Sequence, residues 1–127
     1  MDFFLIDKDE FSLNGTNVKI GKRIVRYEVF DKYDIVVLLV SNTNDWKKPD
    51  EIIAIRYIDH ACQTVWTYQR KDATGTISFR IFQIWKEKRD EYDRVACLIL
   101  KYDLGFYDET NIIDVESGEI IKTEFSK

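Results

Sequence analysis

The sequence predicts an all-β fold made mostly of antiparallel strands, and three observations lead to this prediction. Apolar runs are short, turn-forming residues interrupt them often, and β-branched and aromatic residues are abundant while proline occurs once. We expect about nine or ten strands with little or no helix. They would form two similar four-stranded meanders, arranged as a curved sheet, a sandwich or an incomplete propeller-like assembly.

Size and composition favour one folded unit. A chain of 127 residues suits a single β domain, residues 1–127, with its own core. The apolar fraction of 45% and the charged fraction of 33% are typical of a globular protein and not of a disordered or membrane-embedded one. The first ten residues carry acids where a secretory signal carries bases, so we expect a cytoplasmic protein with no membrane partner.

Individual strands follow from hydropathy patterns. Residues 11–13 and 18–20 alternate on either side of Asn14 and Gly15, which tolerate the positive φ angles of a tight hairpin turn. Residues 35–40 are apolar at every position, which predicts a central strand covered on both faces. The remaining strands are predicted at residues 24–30, 52–58, 64–69, 77–85, 95–102, 111–115 and 120–125, and the charged segment 86–93 is predicted to be a loop.

The order of elements appears twice along the chain, which suggests an internal duplication of residues 24–69 and 77–126. In each half an alternating strand is followed by a Tyr-Asp pair, a fully apolar strand, a polar loop and an Ile-Ile pair that opens a hairpin. A period of this length with about four strands is typical of propeller blades. The paired landmarks are Tyr33-Asp34 with Tyr92-Asp93, and Ile52-Ile53 with Ile112-Ile113.

Residues that could support catalysis are few. His60 is the only histidine, and an Asp or Cys neighbour within a turn seldom has the geometry of a catalytic site. One histidine and two distant cysteines do not supply the ligands of a zinc site, and the glycines are scattered singly, so no phosphate-binding loop is present. We therefore expect a protein that is not an enzyme and that needs no metal and no cofactor.

A surface rich in acids and aromatic residues is the predicted binding site. If the duplication holds, the loops at 41–51 and 103–110 occupy equivalent places, and they share one rim if the two units stack with these strand ends together. The net charge of −4 argues against nucleic acid and permits a cationic protein as partner. The partner-binding candidates are Asp45, Trp46, Asp50, Glu51, Asp103, Phe106, Tyr107, Asp108 and Glu109.

The closing segment 111–121 has an acid-then-glycine turn, Glu116-Ser117-Gly118, between two apolar strands. With the size, the acidity and the lack of a catalytic motif, it resembles the small β-rich immunity proteins of bacterial toxin systems and their blade-like meanders. The resemblance implies an inhibitor that binds and neutralises a basic toxin, such as a nuclease. Two alternatives stay open: a structural module that forms a homo-oligomer by edge-strand pairing, and a ligand-binding or hydrolytic β domain that uses carboxylates.

Overall fold

The computed structural model of the chain describes residues 1–47, 49–69, 77–82, 97–103 and 108–126. For residues 77–82, 97–103, 108–110 and 126 the description is of the backbone. The chain divides into two compact units, Met1–Lys71 and Asp72–Lys127. The single domain predicted from the sequence stays a prediction.

The fold is all-β and antiparallel, as predicted, with eleven strands in the described residues. One turn of 3-10 helix, Asp31–Tyr33, is the only helical element among them. In chain order the strands are β1 Phe3–Asp7, β2 Glu10–Leu13, β3 Thr16–Lys19, β4 Arg23–Phe30, β5 Ile35–Ser41, β6 Glu51–Ile58, β7 Ala61–Gln69, β8 Ile77–Phe82, β9 Cys97–Asp103, β10 Asp108–Asp114 and β11 Ile120–Ser126.

These strands form three sheets in which each strand pairs with its neighbours in sequence. The N-terminal sheet is β1-β2-β3, the first meander is β4-β5-β6-β7, and the second meander is β8-β9-β10-β11. The two predicted meanders are therefore present. Strand β1 was not predicted, because the apolar run at 3–6 is short and does not alternate.

The N-terminal sheet is organised by the predicted hairpin. Asn14 and Gly15 have φ angles of 49° and 83°, the left-handed values that a two-residue turn between twisted strands requires. Leu13 pairs with Thr16 across this turn. On the other side of β2, the N–H of Asn14 donates to the carbonyl of Asp2 at 2.7 Å, which brings β1 alongside.

The core of the first unit lies between the N-terminal sheet and the first meander. Every residue of β5 is buried, which confirms the central strand predicted at 35–40. Alternate β5 side chains meet β2 and β6, while the residues on the opposite face of β5 are buried as well. The cluster between the two sheets contains Phe11, Leu13, Ile24, Val36, Leu38, Val40, Ile53 and Ile55.

A second tight turn joins β6 to β7. Asp59 and His60 have φ angles of 50° and 65°, and Ile58 pairs with Ala61 directly across them. The turn is thus two residues long, shorter than the predicted connection at 59–63, and β7 begins at Ala61 instead of residue 64. His60 occupies a backbone conformation that strains any residue with a Cβ atom.

Because of this strain, we expect His60→Gly to raise the free energy of unfolding by about 1 kcal/mol, and His60→Ala to leave it unchanged or lower it. Urea denaturation of the native sequence, His60→Gly and His60→Ala measures the order of their stabilities. A loss of stability in His60→Gly would mean that the imidazole makes a contact on which the fold depends.

The two meanders share a common register. Leu38 pairs with Ile53 in the first, and Leu98 pairs with Ile113 in the second, each 60 positions later. The next two pairs repeat the relation, since Leu39–Ile52 and Val40–Glu51 correspond to Ile99–Ile112 and Leu100–Asn111. A common register is what an internal duplication produces. The duplication itself stays a prediction.

Several predicted boundaries differ from the observed ones. Ser41 and Glu51 belong to β5 and β6, so the first polar loop runs from 42 to 50. Asp103 ends β9 while Asp108 and Glu109 begin β10, because the β9–β10 ladder continues as far as Asp103 opposite Asp108. The loop predicted at 86–93 lies outside the described residues.

Candidate functional site

A buried polar cluster lies at one end of the first meander, where β5 ends, β6 begins and β7 ends. Glu51, the first residue of β6, is 3% exposed and pairs with Val40 on one side and Gln69 on the other. Its Oε1 accepts from Lys22 Nζ at 2.5 Å and from Asn42 Nδ2 at 3.2 Å. Its Oε2 accepts from Gln69 Nε2 at 2.9 Å. Both carboxylate oxygens are thus occupied.

These contacts decide the charge state of Glu51. Burial raises the pKa of the carboxyl, whereas the hydrogen bonds from Lys22, Asn42 and Gln69 and the charge of Lys22 lower it. The lowering effects prevail, so the pKa of Glu51 lies below its ordinary value. Glu51 is therefore an ionised, internally compensated group at neutral pH.

The same cluster fixes the loop at 42–50. Both the backbone N–H and the Nδ2 of Asn42 donate to Asp50 Oδ1 at 3.0 Å, which closes the base of the loop. The N–H of Asp50 in turn donates to the carbonyl of Val40 at 3.0 Å. Nearer the tip, Asp45 Oδ1 accepts the N–H of Lys47 at 3.0 Å in a local side-chain turn. The loop is consequently held at its base and at its tip.

Trp46 lies at the tip of this anchored loop and is 55% exposed. The ammonium of Lys47 lies 5.5 Å from the centre of its ring, within the range of a cation–π contact. An exposed indole on a fixed loop loses little conformational freedom when it binds, which is the property of an interface anchor. Trp46 is the member of the first predicted loop best placed to contact a partner.

The acids of the first loop hold the loop in place. Asp50 and Asp45 are half-buried and their Oδ1 atoms hold the loop, while Glu51 is compensated by Lys22. They shape the surface that presents Trp46. Their direct contact with a partner stays a prediction.

The candidates in the second unit are placed by backbone only. Asp103 and Asp108 are cross-strand partners, and Glu109 pairs with Tyr102 on one side and with Phe125 on the other. Like charges directly opposite one another destabilise a strand pair. Phe106 and Tyr107 lie outside the described residues. The two loops belong to different units, so their common rim stays a prediction.

Three residues of the cluster were missed by sequence reasoning. Lys22, Asn42 and Gln69 carry no motif, and Lys22 and Gln69 lie 29 and 18 positions from Glu51 in the chain. A signal exists in the repeat, since the residue before each Ile-Ile pair is polar. Asn111, the register counterpart of Glu51, is also buried, and its Oδ1 accepts from Thr123 Oγ1 at 2.8 Å.

The candidates for chemistry lie near one another on the β6–β7 hairpin. His60 is exposed at the turn, and Cys62 is half-buried two residues later. Burial raises the pKa of the Cys62 thiol. Among the residues whose side chains are described, no group of three histidine, cysteine or carboxylate residues could hold a metal ion. No helix in the described ranges is long and apolar enough to span a membrane.

Because the thiol of Cys62 is half-buried and its pKa is raised, we expect it to react with a thiol-directed disulfide reagent more slowly than the same thiol in the unfolded chain. Peptide mapping by mass spectrometry after timed labelling, with and without urea, measures the two rates. Equal rates would place the sulfur in solvent.

Comparison with protein-family models, with curated proteins and with solved structures finds no match to this chain.

Proposed function

We propose that this protein is a non-catalytic binding module of the bacterial cytoplasm, an immunity-type inhibitor that neutralises a cationic toxin domain. The observation that carries the proposal is Trp46, an exposed indole on a loop that a buried polar cluster holds in place. Such an anchor fits the desolvated centre of a protein interface.

Charge supports the choice of partner. The chain carries 23 acids against 19 bases, and acids outnumber bases in the second half of the predicted binding surface. An acidic surface increases the rate of association with a basic protein, while an aromatic anchor supplies most of the affinity. A nuclease-like toxin is basic because its substrate is polyanionic.

The test is direct binding to the products of the neighbouring genes. We expect one of them to co-purify with this protein, and the complex to weaken as salt is raised. Trp46→Ala should reduce the affinity by about thirtyfold, as truncation of an interface anchor does. Ile120→Ala, at an exposed apolar residue that is not among the predicted partner-binding residues, serves as the control. The proposal fails if no neighbouring product binds, or if Trp46→Ala leaves the affinity unchanged.

A second candidate function, a homo-oligomeric assembly module, is favoured by the edge strand β11. It exposes Ile120, Ile121 and Phe125, and in the described residues it pairs with β10 alone. An apolar edge of this kind is a template for pairing with another strand. Sedimentation over a wide concentration range tests it: self-association that Phe125→Lys removes supports assembly, and a monomer at every concentration contradicts it.

A further inference from the structure

A second surface of the first unit, the free edge of β1, is suited to bind an extended strand. In the described residues, β1 pairs with β2 on one side and forms the edge of the N-terminal sheet on the other. It also exposes three consecutive apolar residues, Phe4, Leu5 and Ile6. Protected edge strands are short, charged or covered, whereas this one is apolar and accessible.

The ladder shows which backbone groups face outward. The N–H of Asn14 bonds to the carbonyl of Asp2, and in antiparallel pairs bonded and non-bonded positions alternate. Phe4 and Ser12 therefore form a hydrogen-bonded pair. The pairs Phe3–Leu13 and Leu5–Phe11 are non-hydrogen-bonded pairs. The N–H and C=O groups of Phe3 and Leu5 therefore point away from β2, towards an incoming strand.

Contacts with β2 and with the first meander hold β1 in place. Phe3 packs against Phe11 with ring centres 5.3 Å apart and against Tyr27 of β4 with ring centres 4.7 Å apart. The carbonyl of Lys8, just past β1, accepts the N–H of Ile24 at 2.7 Å. Because β1 is held to the first meander at these points, a strand that adds to it meets a rigid template, which keeps the entropic cost of binding low.

The negative charge around β1 favours a basic strand as its binding partner. Residues 2–10 carry four carboxylates, of Asp2, Asp7, Asp9 and Glu10, against the one ammonium of Lys8. A second copy of this chain, related by a two-fold axis, would bring the same acidic edge against itself. A strand that alternates apolar residues with lysine or arginine would instead place opposite charges beside Asp2 and Asp7, which are both exposed.

We infer that β1 is a docking edge for an extended, basic segment of a partner protein, which adds to the N-terminal sheet as a fourth strand. Main-chain hydrogen bonds to Phe3 and Leu5 give affinity, and the flanking acids give selectivity for basic sequences. The inference extends the proposed function, since it assigns the cationic partner a second contact beyond Trp46.

The first experiment uses a soluble probe in place of the partner. A peptide of about nine residues that alternates valine with lysine matches the length of a strand. We expect saturable binding that falls as salt rises, with new protection of the Phe3 and Leu5 amide protons in hydrogen exchange. A version N-methylated at alternate amides keeps the charge and the side chains but cannot pair, so it should not bind.

Variants separate the backbone from the side chain. Leu5→Pro removes the outward N–H at a position where an edge strand tolerates proline, and Leu5→Ala keeps it. We expect Leu5→Pro to bind the peptide at least about tenfold more weakly than Leu5→Ala, which is the loss of one or two hydrogen bonds. If Leu5→Pro unfolds β1, a double variant that carries Asp2→Asn and Asp7→Asn tests the inference independently. We expect it to bind the peptide more weakly, with an affinity that depends less on salt.

Three outcomes overturn the inference. They are the absence of saturable peptide binding, equal binding of the N-methylated peptide, and self-association that Leu5→Pro abolishes, which would make a second copy the occupant. The proposed function is tested separately. If a neighbouring gene product binds through Trp46 and is insensitive to Leu5→Pro, the inhibitor proposal stands and the β1 docking edge fails.

Discussion

Replacing Glu51 by glutamine is expected to lower the free energy of unfolding by about 2–3 kcal/mol at neutral pH, the cost of losing charge-assisted hydrogen bonds at a buried site. The neutral amide keeps the shape of the side chain. It removes the charge that compensates Lys22 and replaces one acceptor oxygen with an NH2 donor, which then faces the donor groups of Asn42 or Gln69. Urea denaturation measures the loss.

The same substitution should change the response to acid. The pKa of Glu51 is lowered on folding from its ordinary value of 4.5, so its ionised form stabilises the native state. That contribution is complete above pH 4.5 and is lost as the pH falls through the lowered pKa of the folded state. The stability difference between the native sequence and Glu51→Gln should therefore shrink below pH 4.5.

Glu119→Gln is the matched control, because Glu119 is exposed at the turn before β11. We expect it to change stability by less than about 0.5 kcal/mol at neutral pH. A stability difference for Glu51→Gln that does not depend on pH would contradict the charged, compensated state of Glu51.

Leu38→Ala is expected to cost about 3 kcal/mol or more, and to rank among the most destabilising single changes in the first unit. Leu38 is fully buried in β5 and packs in the cluster between the N-terminal sheet and the first meander. The neighbouring strands restrain one another, so the cavity that alanine leaves behind closes only in part.

Leu5→Ala makes the identical chemical change at a side chain that is 41% exposed, and we expect it to cost less than about 1 kcal/mol. Thermal and urea unfolding of the two variants measure the contrast. Similar losses at both positions would mean that β1 is buried in solution, and would also remove the basis for a docking edge.

The fold could be predicted from the sequence wherever local signals agree. Unbroken aliphatic residues at 35–40 indicated a strand buried on both faces, and Asn14-Gly15 indicated a tight hairpin; both are present. Asp59-His60 is a turn of similar geometry with a weaker sequence signal, so its length was overestimated. The sequence of strand β1 does not alternate between apolar and polar residues, because both faces of the strand are partly exposed. A period-two pattern arises only where one face of a strand is buried.

The candidate site was less predictable because its contacts are non-local. Composition drew attention to the acids of the first loop, but whether an acid faces solvent or the interior depends on partners elsewhere in the chain. Lys22 and Gln69 reach Glu51 only after the strands pair, and nothing near Glu51 in sequence marks it as buried. Trp46, by contrast, was identified from its place in a polar loop and is exposed.

The sequential order of strands within all three sheets has a consequence for how the chain folds. Among the eleven described strands, each pairs only with strands next to it along the chain, so no crossover connection between them has to close before a sheet can grow. Loop closure in such hairpins costs little entropy, and a low average sequence separation between contacts accompanies rapid folding. We therefore expect each sheet to assemble by zipping from its turns, faster than a Greek-key sandwich of equal length.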